Sequence, residues 1–362
     1  DIDAIRSNVK KLQENLNKNT KTCAVIKANG YGHGAVRLAR ELDDLADYYA
    51  VATIEEALEL RTDGISKPIL ILGFVHPSRA EEAVLNDIRL TVYDPEYAEI
   101  ISDIAVSLGK QAKIHLKIDT GMSRIGFIPN DSSFKDIVSI SKLKGIDIEG
   151  IFTHFAKADD QDLSDAYKRL DLFLGFVERL EAENIKIPIR HCANSAAATC
   201  MKEAELDMVR LGISIYGLYP SEYVNKVTLR PAMSLKSHII MVKEVPEGTG
   251  VGYGGTWTAE GKRRIATVSI GYADGYMRGL SNKGYVLIRG VKCPVVGRVC
   301  MDQIMTDVTG MPLAKAGDEV ILVGTDGDQT ITVEEISELA GSFNYEFVCN
   351  ISSRVERIYH RH

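Results

Sequence analysis

Eight strand-like runs alternate with amphipathic helices up to about residue 210, and a region of short β-rich runs follows to the end of the chain. That order predicts an α/β chain: an N-terminal (β/α)8 TIM-type barrel, then a C-terminal mainly-β domain. A third observation separates the barrel from a doubly wound open sheet, because no GxGxxG follows the first strand. The expected division is residues 1–230 for the barrel and 231–362 for the β domain. The linking stretch Tyr219–Pro231 is polar and carries two prolines.

Each element has its own signal. The strands are expected at 22–28, 48–53, 68–73, 89–94, 113–119, 149–155, 187–193 and 206–211, as short apolar runs rich in valine and isoleucine. Helical spacing fills the gaps at 35–45, 54–61, 78–85, 95–108 and 164–184. In the last of these Leu170, Leu172, Phe173, Phe176, Val177 and Leu180 recur at helical intervals. Turns fall at Asp63-Gly64, Gly109 and Gly145. Beyond Pro231 helical spacing fades into β runs at 237–242, 264–270, 284–288, 292–296, 303–308 and 319–323, interrupted by a helix at 332–340.

Composition narrows the class. The chain of 362 residues is 45% hydrophobic and 26% charged, ordinary for a globular protein. Its net charge of -7, without a basic block, makes nucleic acid and anionic membrane poor partners. The longest apolar runs are too short to span a bilayer, and there is no signal peptide. Six scattered cysteines without a CxxC spacing read as reduced core cysteines of a cytoplasmic protein, and no metal site is expected. The chain opens at Asp1-Ile2-Asp3 already inside a helical pattern, which would suit a domain excised from a longer, membrane-anchored protein.

In a barrel the chemistry collects at the C-terminal strand ends. Alternation places Cys23, Val25 and Lys27 on one face of the first strand. A lysine beside apolar neighbours is desolvated toward a usable amine, and such lysines form covalent links with carbonyl cofactors. By itself, a lysine whose head snorkels to the rim is the plainer reading. Other strand ends add His115, Lys117 and Asp119, then Thr153 and His154, then His191, Asn194 and Ser195, then Arg210. A helix start at Ser195 and free backbone amides at Gly212-Ile213 offer an anion cradle after strands 7 and 8. An amine on one side of a rim and an anion cradle on the other fit a phosphorylated aldehyde. The β domain carries tyrosines flanked by glycines, at Gly252-Tyr253-Gly254 and Gly271-Tyr272. They serve as packing aromatics in turns or as phenols presented to a ligand.

The motifs AVIKANGYGHG, HLKIDTGMSRIGF, GIFTHFAKAD, HCANSAA, DMVRLGISIYGLYPS, VGYGGTW, SIGYADGY, GRVCMDQ and NYE, in this order over essentially the whole chain, resemble those of the alanine racemase family. The resemblance implies pyridoxal 5'-phosphate as cofactor and a homodimer with composite active sites acting on a small amino acid. D-amino acid for peptidoglycan precursors would be the product. Lys27 would hold the cofactor covalently and serve as the base on one face of the substrate. Tyr253 of the partner subunit would be the base on the other face. Tyr31, Ser195, Gly212, Ile213 and Tyr345 would hold the phosphate, and Asn194 would join them in binding the cofactor. His154 would pack on the ring and Arg210 would face the ring nitrogen. Arg124 and the backbone of Met301 would receive the substrate carboxylate. Tyr272 and Arg298, with Asp159 and Arg278, match an entrance corridor. Lys117 matches a lysine that the family often carries as a carbamate beside the position of Arg124.

Departures from the family pattern are small: Glu356 stands where proline is common, and Gly30 and Ser123 vary within motifs. Alanine and serine both stay open as substrates. Tyr345 is the residue type of alanine racemases, whereas the abrupt start would suit the racemase domain of a membrane-anchored serine racemase of vancomycin-resistance clusters. A barrel-only protein that binds pyridoxal phosphate without catalysis would lack Tyr253 and the β domain. A basic amino-acid decarboxylase would carry a glycine-rich phosphate loop, and no GGG run exists.

Overall fold

A computed structural model describes residues 1–361. They form two compact units. One comprises Ile2–Gly30, Gly34–Pro231 and Arg361; the other comprises Asp1, Tyr31–His33 and Ala232–His360.

The first unit is the expected barrel. Its eight parallel strands among the described residues are β1 (Lys21–Val25), β2 (Tyr48–Val51), β3 (Ile69–Ile71), β4 (Ile88–Val92), β5 (Ala112–Lys117), β6 (Ile146–Phe152), β7 (Ile189–His191) and β8 (Met208–Leu211). They pair in chain order from β1 to β7, and β8 returns to pair with β1. The seam between β7 and β8 is closed by the Asp207 N–H on the Arg190 carbonyl at 3.1 Å and the Arg210 N–H on the Ala193 carbonyl at 3.0 Å. These strands are buried almost throughout, as parallel strands covered by helices must be.

Helices alternate with the strands because their caps and apolar stripes demand it. Ile54–Thr62 starts on a capping box of Thr53 and Glu56, and Pro95–Ser107 starts on Asp94 with proline in its first turn. Ser164–Ala182 buries Leu170, Phe173, Phe176, Val177 and Leu180, each worth about 1.5–3 kcal/mol. Leu172 faces solvent instead, one step off that stripe. Two helices lie outside the expected set, Ile2–Glu14 in full and Asp131–Ile140, the latter capped by the Asn130 side chain. No helix among the described residues is long and apolar enough to cross a membrane.

The first strand departs from expectation. It ends at Val25, so Lys27 lies two residues beyond it and not on its face. Ala28, Asn29, Gly30 and Tyr31 all have positive φ, at 52°, 52°, 62° and 49°. Left-handed geometry costs about 1–2 kcal/mol per non-glycine residue, so the surrounding contacts must hold this turn. Glu56 does so: one carboxylate oxygen accepts the Ala28 N–H at 2.6 Å and the other the Ala52 N–H at 2.7 Å. At Gly30 a Cβ would lie 2.8 Å from Leu38 Cδ1, so a larger residue there would have to push that side chain aside.

In the second unit six antiparallel strands run in the order β14 (Val291–Pro294), β13 (Tyr285–Ile288), β16 (Glu319–Asp326), β9 (Leu235–Val245), β12 (Arg263–Val268) and β15 (Ile304–Asp307). A further strand, β17 (Gln329–Ile331), pairs with β16, and a small ribbon joins β10 (Gly250–Val251) to β11 (Trp257–Thr258). Val245, Val251, Ala259, Ile265 and Val296 form an apolar cluster under Trp257 and Met305. The helix Val333–Leu339 stands where expected, and a second helix follows at Asn344–Asn350. Cys23, Cys192 and Cys293 are buried as expected of core cysteines. Cys200 and Cys300 are half-buried, and Cys349 is exposed on the unanticipated helix.

Candidate active site

At the C-terminal ends of the barrel strands, positive charge converges on one neutral ring. Lys27, Lys117, Arg124 and Arg210 all act on His154, and burial with these cations holds its imidazole well below the usual range. Arg210 lies in β8 and is 3% exposed. Its Nη1 donates to His191 Nδ1 at 2.9 Å. Its Nη2 donates to the Thr153 carbonyl at 2.9 Å, His154 Nδ1 at 3.1 Å and the Cys192 carbonyl at 3.1 Å. Burial lowers Arg210 to about 10, which leaves it a cation at neutral pH. Among the described residues no carboxylate is among its partners, and none of these bonds uses Nε.

Lys117 closes β5 and is 2% exposed. Burial, with the neighbouring Arg210, pushes its ammonium down to about 7. Its Nζ donates to the Ile118 carbonyl at 2.8 Å and lies 5.5 Å from the centre of the Phe152 ring. Asp119 turns the chain just beyond, accepting the Gly121 N–H at 2.9 Å and the Ser123 N–H at 3.1 Å, and so presents the exposed Arg124.

Across the rim, Asn194 caps the helix Ser195–Cys200 by accepting the Ala197 N–H at 3.0 Å. The Ser195 hydroxyl accepts the Gly212 N–H at 2.8 Å. The Gly212 amide is therefore not free, contrary to the expected cradle, and it ties the chain after β8 to the chain after β7. Ile213 then opens a short 3-10 turn ending at Gly217, whose φ is 82°. Lys27 is half-buried, less desolvated than an in-strand position implied.

The second unit gathers the remaining candidates. Tyr253 is 71% exposed on a turn whose glycines 252, 254 and 255 all have positive φ. With Met301, Asp302 and Met305 it lines an open hollow of about 660 Å³. Tyr272 donates its N–H to the Cys300 carbonyl at 3.0 Å, and the Ala273 N–H holds the Met301 carbonyl at 3.0 Å. Gly271 permits this approach, since a Cβ there would lie 2.3 Å from that carbonyl oxygen. Tyr31 is buried, and its ring centre lies 6.1 Å from that of Tyr345. Tyr272, Arg278 and Glu346 line a second hollow of about 420 Å³.

Sequence reasoning missed Glu56, which braces the turn carrying Lys27; the Thr53-x-x-Glu56 spacing is the signal for it. It also missed the bonds linking His115 and His191, though both histidines stood out as polar strand residues. Among the described residues no group of acids, histidines and cysteines could hold a metal ion. The donor set fits a phosphorylated aldehyde with a ring nitrogen: an amine on a braced turn, a hydroxyl at a helix start across the rim, and a buried guanidinium whose Nε–H and second Nη1–H are not used by the bonds above.

Family models for the alanine racemase N-terminal domain and C-terminal domain match residues 1–220 and 232–359. An alanine racemase of Methanococcus maripaludis is 48% identical, over 99% of this chain and 97% of the relative. One from Clostridium perfringens is 47% identical, over 99% and 94%. Among solved structures, an alanine racemase of Clostridium difficile 630 superimposes with a TM-score of 0.94 at 46% identity, covering 98% of this chain and 92% of that one. One of Bacillus anthracis, solved with bound L-Ala-P, gives 0.95 at 36% identity, covering 99% and 93%.

Proposed function

The chain belongs to the alanine racemase family, and from that premise we propose that it interconverts L- and D-alanine by a two-base mechanism with pyridoxal 5'-phosphate. Arg210 is the observation that carries the reading: a buried cation near the end of β8, without an acid partner among the described residues, set among neutral histidines. When bound, the cofactor supplies an electron sink for the pair left at Cα. A guanidinium keeps its protons, so Arg210 offers a hydrogen bond to the ring nitrogen and no proton. That restrains the sink and favours return of a proton to Cα over other outcomes.

Lys27 holds the cofactor covalently and moves the proton on one face of Cα, and Tyr253 of a second copy of the chain moves it on the other. Tyr31, Ser195, Gly212, Ile213 and Tyr345 hold the phosphate, Asn194 also binds the cofactor, and His154 packs on the ring. Arg124 and the Met301 backbone receive the carboxylate, and Tyr272 lines the approach. Lys117, half neutral near pH 7, adds its Nζ to carbon dioxide, forming an N–C bond and releasing a proton; the carbamate then pairs with Arg124. Serine as the preferred substrate has no support, since the relatives reported are named for alanine. Supply of D-alanine for peptidoglycan and a cytoplasmic setting complete the proposal. The absence of disulfides among the described residues supports a reducing compartment.

Mixing Lys27→Ala protein with Tyr253→Phe protein tests the composite site. Each alone is inactive in this scheme, whereas the mixed dimer contains one intact Lys27–Tyr253 pair and regains activity. No recovery under verified subunit exchange would refute shared sites.

A further inference from the structure

A line of buried side chains crosses the barrel interior and is not used by the racemase chemistry. Glu149 of β6 accepts from Arg89 Nε at 2.9 Å and from His115 Nε2 at 3.2 Å. His115 Nδ1 meets His191 Nε2 at 2.8 Å, and His191 Nδ1 meets Arg210 Nη1 at 2.9 Å. Both rings are fully buried, and burial holds them neutral. Each neutral ring therefore has one N–H and one lone pair.

The two ends dictate where those protons sit. Arginine only donates, so His191 Nδ1 must be the acceptor and its Nε2 carries the proton. That N–H needs an acceptor, so His115 Nδ1 is bare and its Nε2–H points at Glu149. A carboxylate only accepts, which closes the chain consistently; Arg89 and His115 hold Glu149 down at about 2 despite its partial burial. Turning either ring to the other tautomer would set two N–H groups, or two lone pairs, face to face.

The backbone of β6 is built around this line. Ile114 pairs with Ile148 but His115 pairs with Gly150, so Glu149 is the extra residue of a bulge. Bulges re-aim a side chain that regular alternation would send elsewhere. At Gly150 a Cβ would lie 2.5 Å from His115 Nδ1, so only glycine leaves room for the ring. Phe152 then stacks on His191, with centroids 4.7 Å apart and planes 8° from parallel.

We propose that Glu149 and His115 are positioning residues for Arg210: they fix the tautomer of His191, which in turn holds the guanidinium in the orientation that the ring nitrogen requires. This rests on the role assigned to Arg210 above. Glu149→Gln keeps the shape but ends the constraint, because an amide can accept or donate. The test follows the His191 ring nitrogens by NMR in histidine-labelled holoenzyme, assigned with a His191→Gln variant, beside steady-state kinetics on alanine. Wild-type protein should show a bare Nδ1 on His191. Glu149→Gln should show a second tautomer and a kcat lower by about 10- to 100-fold, the usual effect of removing an orienting outer partner, with KM little changed. Arg89→Lys, which weakens the same ion pair but leaves the acceptor charged, should lower stability while keeping both the tautomer and kcat.

A single unchanged His191 tautomer in Glu149→Gln overturns the proposal, as does an equal loss of kcat in Arg89→Lys. The tautomer can be read whether or not the protein racemises alanine. A changed tautomer with unchanged kcat overturns only the link to Arg210.

Discussion

Replacing Lys117 by methionine should make this protein more stable at neutral pH, by an amount that shrinks as the pH rises. The unfolded lysine titrates near 10.5, and in the folded barrel burial brings the group to about 7. Below pH 7 both states carry the proton, and the folded state bears the full cost of a desolvated ammonium. At about 1.36 kcal/mol per unit, the 3.5-unit difference amounts to roughly 5 kcal/mol. Between pH 7 and 10.5 the unfolded chain binds more protons than the folded one, so stability climbs with pH at about 1.4 kcal/mol per unit. The cost is gone above 10.5.

Methionine has similar length and no proton to lose. Subtracting the urea-unfolding free energy of Lys117→Met from that of wild type cancels the other titrations. In buffer free of carbon dioxide, wild type should gain on the variant by about 2–3 kcal/mol between pH 7 and pH 9. Parallel curves would refute the desolvation argument, and a wild type that falls behind would refute its sign. Adding bicarbonate should stabilise wild type and leave the variant unmoved if the carbamate forms.

Ala28→Gly relieves a left-handed alanine and should raise unfolding stability by about 1 kcal/mol, while lowering kcat by loosening the turn that carries Lys27. A loss of stability would mean that the turn is held for a different reason. In deuterated solvent, Tyr253→Phe should slow α-proton exchange from L-alanine far more than from D-alanine; equal slowing of both would refute the assignment of one base to each face.

The barrel was legible in the sequence because its strands are short apolar runs between well-capped helices. Asp131–Ile140 escaped because its buried face is only Ser133, Ile137 and Ile140, too thin a stripe to stand out. Asn344–Asn350 escaped for the same reason: seven residues cannot display a period clearly. The candidate residues were legible through motif and strand-end position. Their geometry was not. Alternation placed Lys27 on a strand face, whereas a left-handed turn braced by Glu56 carries it. Nothing in a run of β-forming residues announces five successive positive φ values, because the group that braces them is a carboxylate from the helix that follows β2. The bulge at Glu149 was equally hidden, since an inserted residue looks like any other until pairing partners are counted.

The seam between β7 and β8 gives the barrel a weak side. A closed barrel has no free strand edges, and this one would acquire two if the Asp207 and Arg210 amides, the Asp207 carboxylate on Arg190 and the Arg210 guanidinium on the Cys192 carbonyl all let go. Arg210 stitches that seam with its backbone while its side chain faces the strand ends of the site. Any molecule gripping the guanidinium therefore also keeps the barrel from breathing open, and binding becomes a contribution to the durability of the whole fold. On this view the cofactor is a staple as well as a reagent.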